Sequence, residues 1–209
     1  MGADSLIQGF KARRTHYALK PESPISDDKI HEIVEQAILH TPSSFNSQST
    51  RVLVLLADQH KKLWEEIVKP AVKAVAPPEA WESSEKRLSG FSNAYGTILF
   101  YEDPNDISKL QESYALYADR FPQWSEHTNA MHQYALWTLL EQEGFGANLQ
   151  HYNPLIDEKV ASEWGIPNKW SLKSQLVFGA PAGAAGEKSF KPVDGERLFI
   201  YGGKFGTKS

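Results

Sequence analysis

Three groups of polar residues stand apart from the hydrophobic pattern of this 209-residue chain, and each falls where one element ends and another begins. Arg13-Arg14-Thr15 follows the first apolar stripe. Two adjacent guanidinium groups and a hydroxyl suit a phosphate, because arginine offers a fixed fork of donors and keeps its charge at any ordinary pH. Lys188, in a glycine-rich and basic tail, adds another cation. Between them, Pro42-Ser43-Ser44-Phe45-Asn46-Ser47-Gln48 packs hydroxyls and carboxamides around one ring. Such groups both donate and accept, as the edge of a flat heterocycle requires. Taken singly, an arginine pair is most often solvated surface, and a serine and asparagine loop most often bonds its own backbone. Their co-occurrence is what points to a ligand.

Other chemistries find little support. The chain has no cysteine, which removes disulfides, thiolate nucleophiles, iron–sulfur clusters and zinc ribbons. Its seven histidines contain no His-Glu-x-x-His, and His127 and His132 are five apart and would not share a helix face, so no metal site is expected. Gly144-Phe145-Gly146-Ala147-Asn148-Leu149 lacks the third glycine of a dinucleotide fingerprint and follows a helix rather than a strand. Gly90-Phe91-Ser92-Asn93-Ala94 lacks the final glycine of a nucleophile elbow. A net charge of −4 argues against a nucleic-acid partner, which usually demands a basic excess. The longest aliphatic run, Val52 to Ala57, is far short of the about 20 residues a membrane helix needs. The first residues hold no apolar signal segment, so a location in the cytoplasm is the expectation, with the nucleus as the alternative.

Six segments in order along the chain resemble the nitroreductase family, and within it the branch named for the fungal fatty-acid repression mutant protein. They are Ala12 to Pro21 (ARRTHYALKP), Thr41 to Gln48 (TPSSFNSQ), Phe121-Pro122, Gly144 to Asn153 (GFGANLQHYN), Ser174 to Gly179 (SQLVFG) and Glu187 to Phe190 (EKSF). The resemblance implies an α+β homodimer, with a central, mostly antiparallel sheet flanked by helices and FMN held without a covalent bond at the subunit interface. Arg13, Arg14, Thr15 and Lys188 would meet the phosphate. Ser43, Ser44, Asn46 and Gln48 would reach the flavin of the opposite subunit, and Leu149, Gln150 and His151 would contact the ring. Two positions depart from the family pattern. Ser49-Thr50 replaces the usual Pro-Trp, and Phe190 stands where an arginine is common, leaving Arg14 or Lys191 to compensate for a missing phosphate cation.

The activity implied is a ping-pong reduction of nitroaromatics, quinones or similar flat acceptors, with NADH or NADPH as electron donor. In such enzymes the cofactor carries the redox chemistry, so no side-chain nucleophile is required. The branch's link with lipid signalling also implies a second role, a flavin-binding regulatory or stress-sensing protein whose reductase activity is incidental. Phe45, Phe121, Trp124 and His127 are the candidates for the acceptor pocket, whereas Tyr114, Tyr117 and Trp137 are read as core.

The elements that must place these residues follow from hydrophobic spacing. Leu6, Ile7 and Phe10 fit a short helix that ends at the arginine pair. Ser26 caps a second helix whose stripe is Ile30, Ile33, Val34, Ala37 and Ile38, stopping near His40 before Pro42. Val52 to Leu56 reads as a strand covered on both faces, and Asp58 as the cap of a helix bearing Leu63, Trp64, Ile67 and Val68, broken or kinked near Pro70. Pro77 to Asn93, with paired prolines, serines and charges, reads as a flexible excursion. Gly96 to Tyr101 is a second buried strand. Pro104 to Arg120 and Glu126 to Glu143 read as helices, the latter ended by Gly144. Ala147 to His151 and Leu172 to Phe178 read as strands, Asn153-Pro154 as a helix start, and Arg197 to Tyr201 as a last strand. One domain over 1–209 is expected, with a C-terminal extension from about residue 180.

Overall fold

The computed structural model describes residues 2–202. Its centre is a five-stranded sheet in which every strand pairing is antiparallel. β3 (Gly96–Glu102) lies between β2 (Thr50–Leu56) and β5 (Ser171–Pro181). The far edge of β5 is covered by β4 (Gly146–Gln150) and, at its end, by the short β1 (Leu19–Lys20). Every residue of β3 is buried, which is why it reads as a continuous apolar run rather than an alternation.

Alternation along the strands feeds two cores, one on each face. Ile98 and Phe100 of β3 and Leu176 and Phe178 of β5 pack with Ile30, Ile33, Val34 and Ala37 of α2 (Asp27–His40) and Leu136 and Leu140 of α7 (Phe121–Gln142). Leu99 and Tyr101 turn the other way, with Val177, onto Leu63, Trp64, Leu88, Phe91 and Val160. The sheet is thus flanked by helices, as the resemblance implies.

Helix ends follow local chemistry where the sequence signals are strong. The Ser26 side chain accepts from the Lys29 amide at 3.2 Å, capping α2 as expected. After α7, Gly144 adopts φ 90°, the Phe145 amide bonds Leu140 O and the Gly144 amide bonds Glu141 O, a Schellman closure that needs the left-handed residue glycine allows. Other expectations are corrected. α3 (Ala57–Lys62) starts at Ala57 without a side-chain cap, so Asp58 sits inside its first turn. It runs through a π-helical stretch at Leu63–Val68 into α4 (Lys69–Val75). The wider turn takes Pro70 without a break, since the ladder at that point already skips to i→i−5.

The stretch read as a flexible excursion is α5 (Pro78–Ser92), a 15-residue helix with Leu88 and Phe91 in the core. Pro78 sits in the first turn, where its missing N–H costs nothing. α6 (Pro104–Ser113) ends earlier than expected, and α7 begins at Phe121 rather than Glu126. Asn153-Pro154 leads into a turn, and α8 (Asp157–Trp164) starts three residues further on. Arg197 to Tyr201 forms no strand. A bridge, Asp194 to Leu198, and turn hydrogen bonds from the Glu196, Arg197 and Leu198 amides to Val193 O order that region instead. Residues 186–202 are exposed throughout, including Phe190 at 75% and Tyr201 at 90%. Among the described residues, no helix is long and apolar enough to cross a membrane.

Candidate functional site

α1 (Asp4–Ala12) ends at Arg13, whose amide closes on Gly9 O at 3.0 Å. The chain then leaves the helix extended and lies against β4. Thr15 bridges Ala147 in parallel, the His16 amide donates to Ala147 O at 2.9 Å, and Asn148 Nδ2 donates to His16 O at 2.8 Å. This lateral pairing joins two segments that lie more than 130 residues apart. Gln150 Nε2 donates back to Asn148 Oδ1 at 2.8 Å, which orients the far end of the strand.

The basic cluster is held from beneath by Glu141. Its carboxylate accepts from the Arg14 backbone amide at 2.7 Å and from Trp137 Nε1 at 3.1 Å. Burial raises the Glu141 carboxyl above the usual carboxylate range, and these two donors oppose that shift. The Arg13 guanidinium lies over the Trp137 ring at 4.5 Å, so Trp137 is half-buried packing for a cation rather than plain core. The Arg14 side chain bonds Gly186 O, tying the tail to the cluster. Arg13, Arg14, Thr15 and Lys188, together with Tyr17, Gly186 and Glu187, line a cleft of about 350 Å³. Among the described residues, none of the three cations forms a salt bridge. Lys188 lies 5.2 Å from the Phe190 ring.

Tyr17 also lines a second cleft, of about 600 Å³, formed with Ala18, Leu149, Gln150, Lys86, Arg87 and Gly90. The two clefts therefore adjoin across one side chain. Leu149 and Gln150 line the cleft beside the basic one, whereas His151 is exposed beyond the end of β4 and lines neither cleft. Lys86 and Arg87 escape the sequence reading because they lie on α5, within the stretch that reads as a flexible excursion. The missed signal was Trp81, Ser84, Leu88 and Phe91, whose separations of three, seven and ten trace one helical face.

The serine and asparagine loop stands elsewhere on this chain. Phe45, Asn46 and Gln48 all have positive φ, at 54°, 53° and 48°. Such backbone persists only where its surroundings over-determine it, and hydrogen bonds within and below the loop do so here. Ser43 Oγ accepts from the Gln48 amide at 3.0 Å, and the Asn46 amide bonds Ser43 O at 3.0 Å. Below the loop, Ser49 and Thr50 donate to the two oxygens of Glu102, each at 2.6 Å, and Asn129 Nδ2 adds a bond at 2.9 Å. The Ser49-Thr50 departure from the family pattern is thus matched by a buried carboxyl group that needs those hydroxyls. Ser43, Ser44, Asn46 and Gln48 line neither of the two clefts of this chain.

Phe45 projects from the loop into an aromatic cluster. Its ring stacks on Trp124 at 6.0 Å and 13°, meets Phe121 edge-on at 5.3 Å, and lies 4.7 and 6.1 Å from Tyr114 and Tyr117. Of the expected pocket residues, Phe45 is 48% exposed and Trp124 half-buried, whereas Phe121 is buried and serves as their support. His127 lies on the exposed side of α7. Tyr114 and Tyr117, read as core, are 44% and 43% exposed, because α6 stops at Ser113 and leaves them on a connecting turn.

Comparison with known proteins places these features in a family. The sequence model described as the nitroreductase family matches residues 10–180. Nitroreductase FRM2 of Saccharomyces cerevisiae is 38% identical over 186 residues, covering 88% of this chain and 92% of its own. The structure of nitroreductase CinD from Lactococcus lactis in complex with nicotinic acid superposes with a TM-score of 0.87 at 46% identity, over 94% of this chain and 99% of that one. A nitroreductase crystal structure from Saccharomyces cerevisiae gives a TM-score of 0.74 at 33% identity, over 87% and 98%. With its antiparallel sheet, its basic cluster laid along β4 and a match over most of its length, the chain belongs to the nitroreductase family.

Proposed function

We propose that this protein is an FMN-dependent oxidoreductase that uses NADH or NADPH to reduce nitroaromatics, quinones or similar flat acceptors, and that it works as a homodimer. One observation carries the reading: three cations that form no salt bridge among the described residues line, with Glu187, a cleft that adjoins, across Tyr17, a larger one bordered by Leu149, Gln150, Lys86 and Arg87. A phosphate at one end and a flat ring at the other fit that arrangement. FMN bound there would supply the two-electron redox chemistry, taking electrons from the nicotinamide and passing them to the acceptor in separate half-reactions.

The side chains have distinct tasks. Arg13, Arg14 and Lys188 hold the phosphate, with Thr15 as an added donor and Glu141 and Trp137 fixing the arginines. Leu149 and Gln150 give the ring an apolar and a hydrogen-bonding edge, and Lys86 and Arg87 place positive charge where reduction deposits negative charge. The Ser43 to Gln48 loop, remote from these clefts, serves the site of a second subunit. Phe45 and Trp124 then offer a stacking shelf to the acceptor. Support for a dimer comes from apolar side chains left exposed on α1, α2 and α7, among them Leu6, Phe10, Leu39, Met131 and Tyr134, and from the exposed tail. CinD has been solved with 4-nitrophenol, a flat nitroarene, and with chloramphenicol.

The test is the absorbance spectrum of the purified protein, followed by anaerobic titration with NADH and NADPH and turnover of 4-nitrophenol. Flavin bands that bleach with nicotinamide and return with the nitroarene are expected. Absence of flavin bands after FMN is added would overturn the reading, and flavin that no nicotinamide reduces would leave only the regulatory role. Light scattering at graded concentration tests the dimer.

A further inference from the structure

A third cavity, of about 440 Å³, shares no residue with the two clefts of the proposed flavin site. It lies between β3, α8 and the turn leading into β5, and Tyr101, Asp157, Glu158, Ser162, Asn168 and Trp170 contribute to its walls. Its volume falls in the range of about 300 to 1,000 Å³ typical of small-molecule sites. Tyr101 Oη, Asp157 Oδ1 and Trp170 Nε1 are all buried and have no hydrogen-bond partner in the protein. Tyr101 as a whole is only 3% exposed. Buried polar groups are nearly always paired, by protein or by water, so three without a protein partner in residues that line one cavity leave hydrogen bonds that a ligand taking the place of water could make.

Their chemistry limits what that ligand is. The indole N–H can only donate and the carboxylate oxygen can only accept, while the tyrosine hydroxyl does either. A simple cation offers nothing to the indole. An anion meets Asp157 and Glu158 together. A neutral molecule with neighbouring hydroxyls satisfies all three, since each hydroxyl both donates and accepts, and its C–H faces suit the flanks of Tyr101, Trp170, Ala161 and Ile166. Burial raises the Asp157 carboxyl above its usual range with Lys173 opposing, an environment in which a hydroxyl donor to that oxygen is worth more than at the surface.

We propose that this cavity binds a small neutral polyol of monosaccharide size through Tyr101, Asp157 and Trp170. The test uses full-length, nitrogen-15-labelled protein with its flavin, titrated with myo-inositol while the indole N–H signals are followed by NMR. Trp170→Phe assigns the Trp170 signal among the six indoles. A saturable shift confined to Trp170 is expected, with affinity about tenfold weaker in Asp157→Ala and in Tyr101→Phe, the loss of one hydrogen bond to a buried partner. The remaining indole signals report whether each variant is folded, and the wild-type titration decides even where one is not. A Trp170 signal that does not move, or that moves only in step with all the others, would overturn the proposal. So would a response to acetamide without one to myo-inositol, which would assign the cavity to amides.

Discussion

Lowering the pH should weaken the fold through one buried histidine. His60 is 1% exposed, with Nε2 3.0 Å from Phe91 O and Nδ1 2.8 Å from Thr97 Oγ1. A carbonyl can only accept, so Nε2 carries the proton, and Nδ1 of the neutral ring accepts from the Thr97 hydroxyl. Trp64 Nε1 donates to that same hydroxyl oxygen at 2.9 Å, completing a relay from Trp64 through Thr97 to His60. Protonating Nδ1 would turn the Thr97 hydrogen away and charge a ring sealed from water. Burial, only partly offset by the Phe91 and Ser92 backbone, accordingly lowers the His60 pKa from 6.5 to about 4. Between those values the unfolded chain holds one more proton than the folded one, so stability falls as pH drops. The contribution is complete above pH 6.5, is lost as pH falls toward about 4, and changes no further below that. A gap of 6.5 to about 4, at roughly 1.4 kcal/mol per unit, amounts to about 3 kcal/mol. Urea unfolding of the wild type and of His60→Gln across this interval isolates the effect, because the carboxylates that also titrate are common to both. The wild type should lose about 3 kcal/mol more than the variant. Equal pH slopes, or an NMR titration of the His60 ring near its ordinary value, would refute the reasoning.

Other perturbations read out separate parts of the architecture. Arg13→Ala should weaken FMN retention by about 1.5 to 3 kcal/mol, the usual size of a charged hydrogen bond, measured by equilibrium dialysis; unchanged retention would count against the phosphate assignment. Ser49→Ala combined with Thr50→Val strips two of the three side-chain donors from Glu102 and should cost about 2 to 6 kcal/mol in urea denaturation, with Glu102→Gln recovering part of the loss. Leu88→Ala should destabilise by about 2 to 5 kcal/mol as a core truncation in α5, an effect that a flexible segment would not show. Phe45→Ala removes the ring that stacks on Trp124, and it should raise the KM for 4-nitrophenol without loss of bound flavin, by about 0.5 to 1.5 kcal/mol in apparent binding.

The sequence alone determined those features whose causes are local. Ser26 and Gly144 mark helix ends because a cap needs only its own neighbours, and the apolar runs at β3 and β5 show as buried strands because strands covered on both faces leave few polar positions, whereas β2, read in the same way, is an edge strand and only partly buried. The family is legible too, since its matched segments lie in order along the chain. What the tertiary structure decided is which segments meet. Pairing of Thr15 with Ala147 sets the arginines beside β4, and a helix hidden behind Pro77-Pro78 brings Lys86 and Arg87 to the second cleft. The position of the 43–48 loop, away from both clefts of its own chain, follows from the anchoring of Ser49 and Thr50 on Glu102, more than fifty residues away. Contacts between distant segments depend on the register of the whole sheet, and a one-residue slip would move each of these side chains to the opposite face.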